Sequence, residues 1–320
     1  MWQVDNKTPF AHHGGAFRDH TGASFWSVWV AATFLLRNGR PPLFTLPQPP
    51  VSQEPRFFDD DPEGVLISDG EVTPPRARID LTFRGSAPET LDRDRVVRLR
   101  LGDWKKRLTI RADRDEPGPI RLDGTTALWD DALPTGRLRD ARPGPRVTVK
   151  GCGPAALGPV PRHWPQRADK GGTYDTEWQR NRAPLLPTDL DPAFWQTAPR
   201  DQQLDRPLPP GVTLELGGLR RTGPTDAPSS WPLPQPRFRT ATRVSGTWHQ
   251  AEAELQSIAV DLDAGLVRLV YQAVWPIPRA SDDVLIERTL IALDDAGGFR
   301  VRPADAPLFD PAASLKEAPA

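Results

Sequence analysis

The sequence predicts a mainly β protein, an antiparallel β-sandwich or distorted barrel with long Pro/Gly-rich loops and few short helices. Several short runs alternate between apolar and polar residues, which is typical of strands with one buried face. The 320 residues include 38 prolines and 25 glycines, which interrupt these runs at uneven intervals. The 11 tryptophans and 12 phenylalanines indicate that the chain folds, because disordered chains contain few large aromatic residues.

The strands can be assigned in order along the chain. Residues 25–36 are almost all apolar, as expected of a strand buried on both faces, and the Asn38-Gly39 pair that follows is a hairpin-turn signal. Residues 41–64 then form a long connection with little regular structure. Further strands are predicted at residues 76–83, 97–101, 108–112, 147–149, 212–216, 257–262, 266–275 and 284–293. The second and third of these form a hairpin around Gly102-Asp103.

Two short helical pieces are predicted, both inside a Pro/Gly/aromatic segment that covers residues 157–202. Asp175 or Thr176 can cap a short helix, which Pro184 ends. Asp191 can cap one further turn, because proline follows it directly in the first helical position. Proline and glycine alternate here with aromatic and acidic residues, so the segment is expected to be an ordered but irregular surface.

The domain organisation follows from a change in composition near residue 220. Residues 1–220 are predicted to form the main β domain, including the 157–202 segment. A proline-rich link over residues 220–238 leads into the C-terminal strands of residues 221–320, which are expected to pack on the same sheet system.

Charge, cysteine usage and hydropathy exclude several classes of protein. The formal net charge is −1, with 41 basic and 42 acidic residues interspersed, and no basic block indicates a nucleic-acid partner. The single cysteine, Cys152, excludes an internal disulfide and indicates a reducing compartment. The N-terminus has no signal pattern. The longest apolar run, residues 25–36, is shorter than the roughly 20 residues of a membrane helix. A cytoplasmic protein without membrane insertion is therefore predicted.

No catalytic residue, metal site or cofactor is predicted. His12 and His13, together with His20, could form a metal site, but their spacing is unspecific and exposed loop histidines explain them better. The acidic runs 59–61 and 294–295 read as solvated turn residues rather than as paired catalytic carboxylates. Cys152 has no companion histidine nearby in the sequence.

The aromatic residues of the 157–202 segment are the candidate functional residues. Trp164, Trp178 and Trp195 are spaced so that they could pack on one another. They could form a small satellite core that holds an irregular loop, or a contact surface for a protein partner, for which tryptophan and tyrosine are favoured; stacking on sugar rings is a third interpretation. The candidate protein-binding residues are His163, Trp164, Gly172, Thr173, Tyr174, Asp175, Trp178, Leu185, Leu186, Asp189, Asp191, Phe194 and Trp195.

Several phrases of this segment together form a specific signature. They are Gly158-Pro159-Val160, Arg162-His163-Trp164, Gly172-Thr173-Tyr174-Asp175 with Trp178, Ala183-Pro184-Leu185-Leu186-Pro187, and Asp189, Asp191 and Phe194. With these phrases the chain resembles the domain-of-unknown-function 2169 family, the type VI secretion accessory proteins. The resemblance extends to residues 6–10, 32–39, 96–114 and 261–275. Residues 133–153 depart from it, because two of the family's phrases are missing there.

The resemblance implies a function without catalytic residues. It implies a non-enzymatic adaptor or chaperone that binds a secreted effector or a spike or cap-domain protein and helps load it onto the spike. Two alternatives stay open. One is a β-sandwich hydrolase or carbohydrate-active domain that uses Asp189, Asp191 or loop acids. The other is a structural component of the secretion apparatus.

Overall fold

A computed structural model describes most of the chain. The described residues are 3–57, 60, 62, 66–87, 95–110, 120–122, 147–149, 153–154, 157–218, 229–277 and 286–294. Several predictions fall outside them: Cys152, the acids at positions 59, 61 and 295, the domain boundary near residue 220, and most of the departure from the family at residues 133–153.

Strands make up most of the regular structure in these ranges. The first ten are β1 (Gln3–Asn6), β2 (Ala11–Arg18), β3 (Ser24–Arg37), β4 (Arg40–Phe44), β5 (Arg56–Phe57), β6 (Leu66–Ser68), β7 (Ile79–Arg84), β8 (Ser86–Ala87), β9 (Arg95–Leu101) and β10 (Trp104–Ile110). The others are β11 (Ile120–Arg121), β12 (Val147–Val149), β13 (Gly153–Pro154), β14 (Gln203–Leu204), β15 (Thr213–Gly217), β16 (Ser229–Pro232), β17 (Phe238–Val244), β18 (Thr247–Glu252), β19 (Glu254–Asp261), β20 (Leu266–Ile277) and β21 (Ile286–Leu293). Between β13 and β14 lie helices α1 (Pro165–Ala168) and α2 (Thr176–Asn181) and two 3₁₀ turns, Pro192–Trp195 and Arg200–Gln202.

The central sheet has the strand order β14-β7-β19-β20-β3-β2, and β4 pairs with the end of β3. Strand β3 pairs with β20 along nearly its whole length, from Ser24 opposite Ile277 to Leu35 opposite Leu266. Eleven of the fourteen β3 residues are buried, and they point to both faces of the sheet, which confirms the prediction for this run. The Asn38-Gly39 hairpin is also confirmed, but residues 40–44 form β4 rather than part of an irregular connection.

Two further sheets pack side by side against one face of the central sheet. One has the order β1-β21-β17-β18 and the other β13-β12-β10-β9-β15-β16. Trp26 and Phe34 of β3, Leu99 of β9 and Ile291 of β21 belong to one hydrophobic cluster, so the three sheets share a core. The predicted mainly β fold is confirmed, and the arrangement is that of a sandwich.

In the described part of the chain two strand pairs are parallel, β1 with β21 and β7 with β19, while the other paired strands are antiparallel. Both parallel pairs join strands that are far apart in the sequence, and a parallel pair cannot be joined by a tight hairpin. Each of them also joins strands from opposite sides of residue 220.

Among the described residues, the second face of the central sheet is packed against the chain that follows β4. Trp29 and Ala31 of β3 pack there with Val51 of the proline-rich stretch after β4. Arg268 of β20 fixes this stretch, because its guanidinium binds the Glu71 carboxylate and donates to the carbonyl oxygens of Pro49 and Pro50. The prolines of this stretch therefore belong to a folded layer that covers this face of the central sheet.

His12 and His13 lie in β2, so their prediction as loop residues is wrong. The strand escapes prediction because two glycines follow the histidines and leave little alternation to detect. Within the described residues no three His, Cys, Asp or Glu side chains are arranged to hold a metal ion. Nor does any helix in the described ranges have the length and apolar character needed to cross a membrane.

Candidate functional site

Residues 157–202 lie over the β7 edge of the central sheet and are held in place by buried polar side chains of several elements. The first anchor is Asp69, whose carboxylate accepts hydrogen bonds from Arg167 Nη2 at 2.8 Å and from Arg162 Nη2 at 2.9 Å. Arg167 is itself buried and also donates to the carbonyl oxygens of Val160 at 2.7 Å and Phe194 at 3.0 Å. One guanidinium thus joins both ends of the segment to one carboxylate.

The charge of Asp69 is favoured in the folded state. Burial by itself raises the pKa of Asp69, but the charges and hydrogen bonds of Arg167 and Arg162 outweigh burial and hold the pKa below its ordinary value. The pair is therefore ionised at neutral pH although it is almost completely buried.

The second anchor is Asp80 of β7, which is completely buried. Its carboxylate accepts hydrogen bonds from the Thr197 backbone N–H at 2.6 Å, the Thr197 hydroxyl at 3.0 Å and Gln196 Nε2 at 2.7 Å. Arg76 Nη1 lies 3.4 Å from the same carboxylate. Buried charges are stable only with such partners, so the chain around Thr197 is held firmly against β7.

The third anchor is the buried amide of Gln202, which connects three parts of the fold. Its Nε2 donates to the carbonyl oxygens of Leu81 at 2.7 Å and Leu157 at 2.9 Å, while its Oε1 accepts from Lys106 Nζ at 2.7 Å. Burial lowers the pKa of Lys106, although the nearby Asp201 carboxylate acts in the opposite direction. Because Lys106 belongs to β10, the segment is also tied to the six-stranded sheet.

Local caps shape the outer part of the segment. Asp175 caps α2 by accepting from the Trp178 backbone N–H at 2.8 Å, so the cap is Asp175 and not Thr176. Asp191 caps the first 3₁₀ turn in the same way, through Ala193 N–H. Asp189 accepts from the backbone N–H and hydroxyl of Thr173, and these hydrogen bonds lower the pKa of Asp189.

Gly172 is required where the chain turns between these caps. Its φ is +79°, and a Cβ at this position would lie 2.7 Å from Cβ of Pro187. A side chain would therefore be strained by the backbone and would collide with the neighbouring loop.

The candidate residues divide into three groups by exposure. Trp164 is buried, with 1% of its surface exposed, and forms part of the inside of the segment. The half-buried residues are Gly172, Trp178, Leu185, Leu186, Phe194 and Trp195. The exposed residues are His163, Thr173, Tyr174, Asp175, Asp189 and Asp191.

The three tryptophans have different neighbours. Trp164 lies beside His163, and Trp195 contacts Phe194, with their ring centroids 5.2 Å apart. Trp178 meets the exposed Tyr174 edge to face at 4.7 Å, and its indole N–H donates to Leu185 O at 2.9 Å. Trp164 and Trp178 thus serve different purposes: the first lies within the fold, and the second supports an exposed ring.

A mostly apolar groove runs between the segment and the β2–β3 hairpin. Its volume is about 230 Å³, and the lining residues are Phe17, Asp19, His20, Phe25, Pro74, Pro75, Leu186, Leu190, Pro192 and Trp195. Phe17 and Phe25 are opposite each other across the hairpin, with their rings stacked at 5.3 Å. Arg182 of the segment donates to the His20 carbonyl oxygen, which fixes the two walls relative to each other.

Phe17, His20 and Phe25 are not among the residues that the sequence suggests for protein binding. A signal for them exists: Phe17 and Phe25 flank the turn around Asp19, where the carboxylate accepts from the N–H groups of Thr21 and Ala23. An acidic turn of this type between two phenylalanines predicts a hairpin that brings the rings together.

Comparison with known proteins identifies the family. No curated protein and no solved structure matches the chain. The model of one protein family, described as uncharacterized protein conserved in bacteria (DUF2169), matches residues 21–121 and 130–272, which is more than half of the chain and includes the anchored segment. The chain therefore belongs to the DUF2169 family of bacterial proteins.

Proposed function

We propose that this chain is a type VI secretion accessory protein, a non-enzymatic adaptor or chaperone of the cytoplasm. In this role it binds a secreted effector, or a spike or cap-domain protein, and helps load it onto the spike. The proposal rests on the signature phrases of residues 157–202, which resemble those of type VI secretion accessory proteins. The groove between residues 157–202 and the β2–β3 hairpin is the observation that carries the docking role.

The groove has the composition expected of a protein-binding surface. Its lining consists of aromatic, leucine and proline side chains together with Asp19 and His20. The same segment also has an exposed ring outside the groove lining, Tyr174, which packs on Trp178. Aromatic anchors surrounded by polar residues dominate the binding energy of protein interfaces.

The anchors of the segment support binding by preorganisation. Asp69, Asp80 and Gln202 fix the backbone through buried hydrogen bonds before any partner arrives. A loop that is already ordered loses little conformational entropy on binding, so more of the contact energy appears as affinity.

The acids that a hydrolase would need have local roles in this segment. Asp189 and Asp191 both accept hydrogen bonds from the backbone within a few residues, as caps do. Neither contributes to the lining of the apolar groove. This arrangement favours the adaptor over the hydrolase or carbohydrate-active domain.

We expect that Leu186→Asp reduces binding of the effector or spike protein at least tenfold. The half-buried Leu186 lines the groove, and loss of an apolar anchor in an interface costs about 2 kcal/mol. The measurement is co-purification with co-expressed effector and spike proteins of a type VI secretion system, followed by titration of the purified partner. Phe17→Ser tests the opposite wall independently.

Leu43→Asp is the matched control, because Leu43 is 47% exposed and pairs with Leu35 near the far end of β3. Leu35 is ten residues along the strand from Phe25, which corresponds to about 33 Å. Failure of the wild-type chain to retain either partner, with normal effector loading in its absence, would refute the adaptor. Hydrolysis of a glycan or ester that Asp189→Asn or Asp191→Asn abolishes would establish the enzyme instead. Stoichiometric presence in assembled particles would establish a structural component.

A further inference from the structure

The outer face of the six-stranded sheet carries a compact group of cationic side chains. Arg98 and Arg100 come from β9, and Lys105 and Arg107 come from β10. All four are exposed, because the alternate residues of both strands, such as Leu99 and Leu108, face the core. The basic residues are dispersed in the sequence, but the hairpin places them on one surface.

The pairing register places like charges directly opposite each other. Arg98 is opposite Arg107, and Arg100 is opposite Lys105. Like charges in such cross-strand positions destabilise a sheet. The strands of this face contribute one acidic side chain among the described residues, Glu215, which lies 3.9 Å from Arg100. Arg98, Lys105 and Arg107 have no carboxylate partner in the described part of the chain.

These side chains border a depression of about 630 Å³ whose other wall is formed by Gly217 and Gly218 at the end of β15. Gly218 has a φ of +86°, and a Cβ there would lie 2.0 Å from the Val96 carbonyl oxygen. Only glycine permits this approach, so the depression keeps a wall of bare backbone beside the cationic groups.

We propose that this cationic face binds an acidic, extended polypeptide segment of a partner protein. Residues two apart on a strand, such as Arg98 and Arg100, are separated by about 6.6–6.8 Å. Alternate side chains of an extended peptide have the same spacing, so successive carboxylates can each meet one cation. Carboxylates of the bound peptide would also reduce the repulsion between the like-charged cross-strand pairs. The unfavourable placement of these cations is then explained by ligand binding.

A polypeptide fits this face better than a nucleic acid. Surfaces that bind single strands combine cations with exposed aromatic rings on which bases stack. Trp104, the ring of this hairpin, instead stacks on Phe83 at 5.9 Å, and the described residues of the outer face include no aromatic side chain. The net charge of −1 also provides no general attraction for a polyanion.

The inference goes beyond the docking groove and does not depend on it. The groove lies on the loop-covered side of the central sheet, whereas the cationic face lies on the outside of the sheet that packs on its other side. Each surface can therefore fail its test while the other passes.

The test uses the full chain and a fluorescein-labelled peptide of alternating glutamate and serine, titrated by fluorescence anisotropy at low and at physiological salt. We expect saturable binding that weakens with salt and that falls at least tenfold in the double variant Arg98→Glu/Arg107→Glu. The control Arg18→Glu/Arg56→Glu makes the same change in net charge at exposed arginines outside this face and should keep the binding.

The neutral variant Arg98→Gln/Arg107→Gln gives a second readout if charge reversal impairs folding. It should weaken peptide binding while its melting temperature stays the same or rises, since the cross-strand repulsion is removed. Absence of peptide binding at low salt, or equal loss in the control variant, would overturn the proposal. So would tighter binding of single-stranded RNA than of the peptide through the same residues.

Discussion

Replacement of Asp69 by alanine is expected to lower the free energy of unfolding by about 3–5 kcal/mol. The substitution leaves the guanidinium of Arg167 buried without its carboxylate, and the side chain of Arg167 is only 3% exposed. A buried charge without a partner is among the costliest defects in a folded protein. Urea denaturation of the variant and the wild type measures the difference.

The loss should also be local. Arg167 joins Val160 and Phe194, so its displacement would loosen residues 157–202 before the sheets open. Amide hydrogen exchange in this segment should therefore increase in the variant more than exchange in β3. Equal increases in both regions would contradict the assignment of Asp69 as the anchor of the segment.

Arg162→Ala is the matched control, because Arg162 binds the same carboxylate from the surface. Its side chain is 41% exposed, and exposed ion pairs contribute about 1 kcal/mol or less. If Arg162→Ala and Asp69→Ala destabilised the protein equally, burial of the pair would not be the cause of the effect.

The contribution of Asp69 should depend on pH in a defined direction. Its pKa is lower in the folded protein than the ordinary value of about 3.9, so folding favours the ionised carboxylate. The stabilisation is complete above the unfolded-state pKa and is lost as the pH falls through the lower folded-state pKa. The stability difference between wild type and Asp69→Ala should thus be constant from neutral pH to about pH 4–5 and shrink at more acidic pH.

Local rules explain the elements that could be predicted from the sequence. The run 25–36 is apolar on both faces because β3 is an interior strand and side chains pack on both faces of the central sheet at this strand. The β9–β10 hairpin and the start of α2 follow from alternation around Gly102 and from the cap at Asp175. Each of these depends on residues within a few positions of one another.

Other elements carry weaker local signals. The β17–β18 hairpin was missed, although Ser245 and Gly246 at its turn both have positive φ, as a tight hairpin requires. Residues 229–232 were assigned to a link because of their proline, yet they form β16 at the edge of a sheet, where proline is tolerated.

The site depends mainly on contacts between distant parts of the chain. Asp69 and Arg167 are 98 residues apart, and no sequence pattern around either residue predicts that they form an ion pair. The pairs Phe17–Phe25 and Arg98–Arg107 are local, because each joins neighbouring strands of one hairpin. The groove nevertheless depends on a distant contact, since Leu186 and Trp195 of the segment form its other wall. A single sequence shows the segment 157–202 as unusual, but not the side chains that hold it.

Trp26→Ala is expected to destabilise the protein by about 3–5 kcal/mol and to do so for the whole sandwich at once. Trp26 is 2% exposed in the shared core, and its indole N–H donates to the Thr289 hydroxyl at 2.9 Å. Thr289 is in turn hydrogen-bonded to Thr242 at 2.9 Å, so one side chain from β3 secures two strands from beyond residue 220.

If the predicted regions 1–220 and 221–320 are a single cooperative unit, the variant should unfold in one transition at a lower denaturant midpoint. Tryptophan fluorescence and far-ultraviolet circular dichroism should then report the same midpoint.

Trp26→Phe retains most of the buried apolar surface and removes the indole donor, so it should cost about 1–2 kcal/mol. Trp248→Ala, a half-buried site on edge strand β18, should cost less than Trp26→Ala. Two separated transitions would contradict a common core. The three sheets share one hydrophobic cluster that contains Trp26, so a single core should unfold in one step.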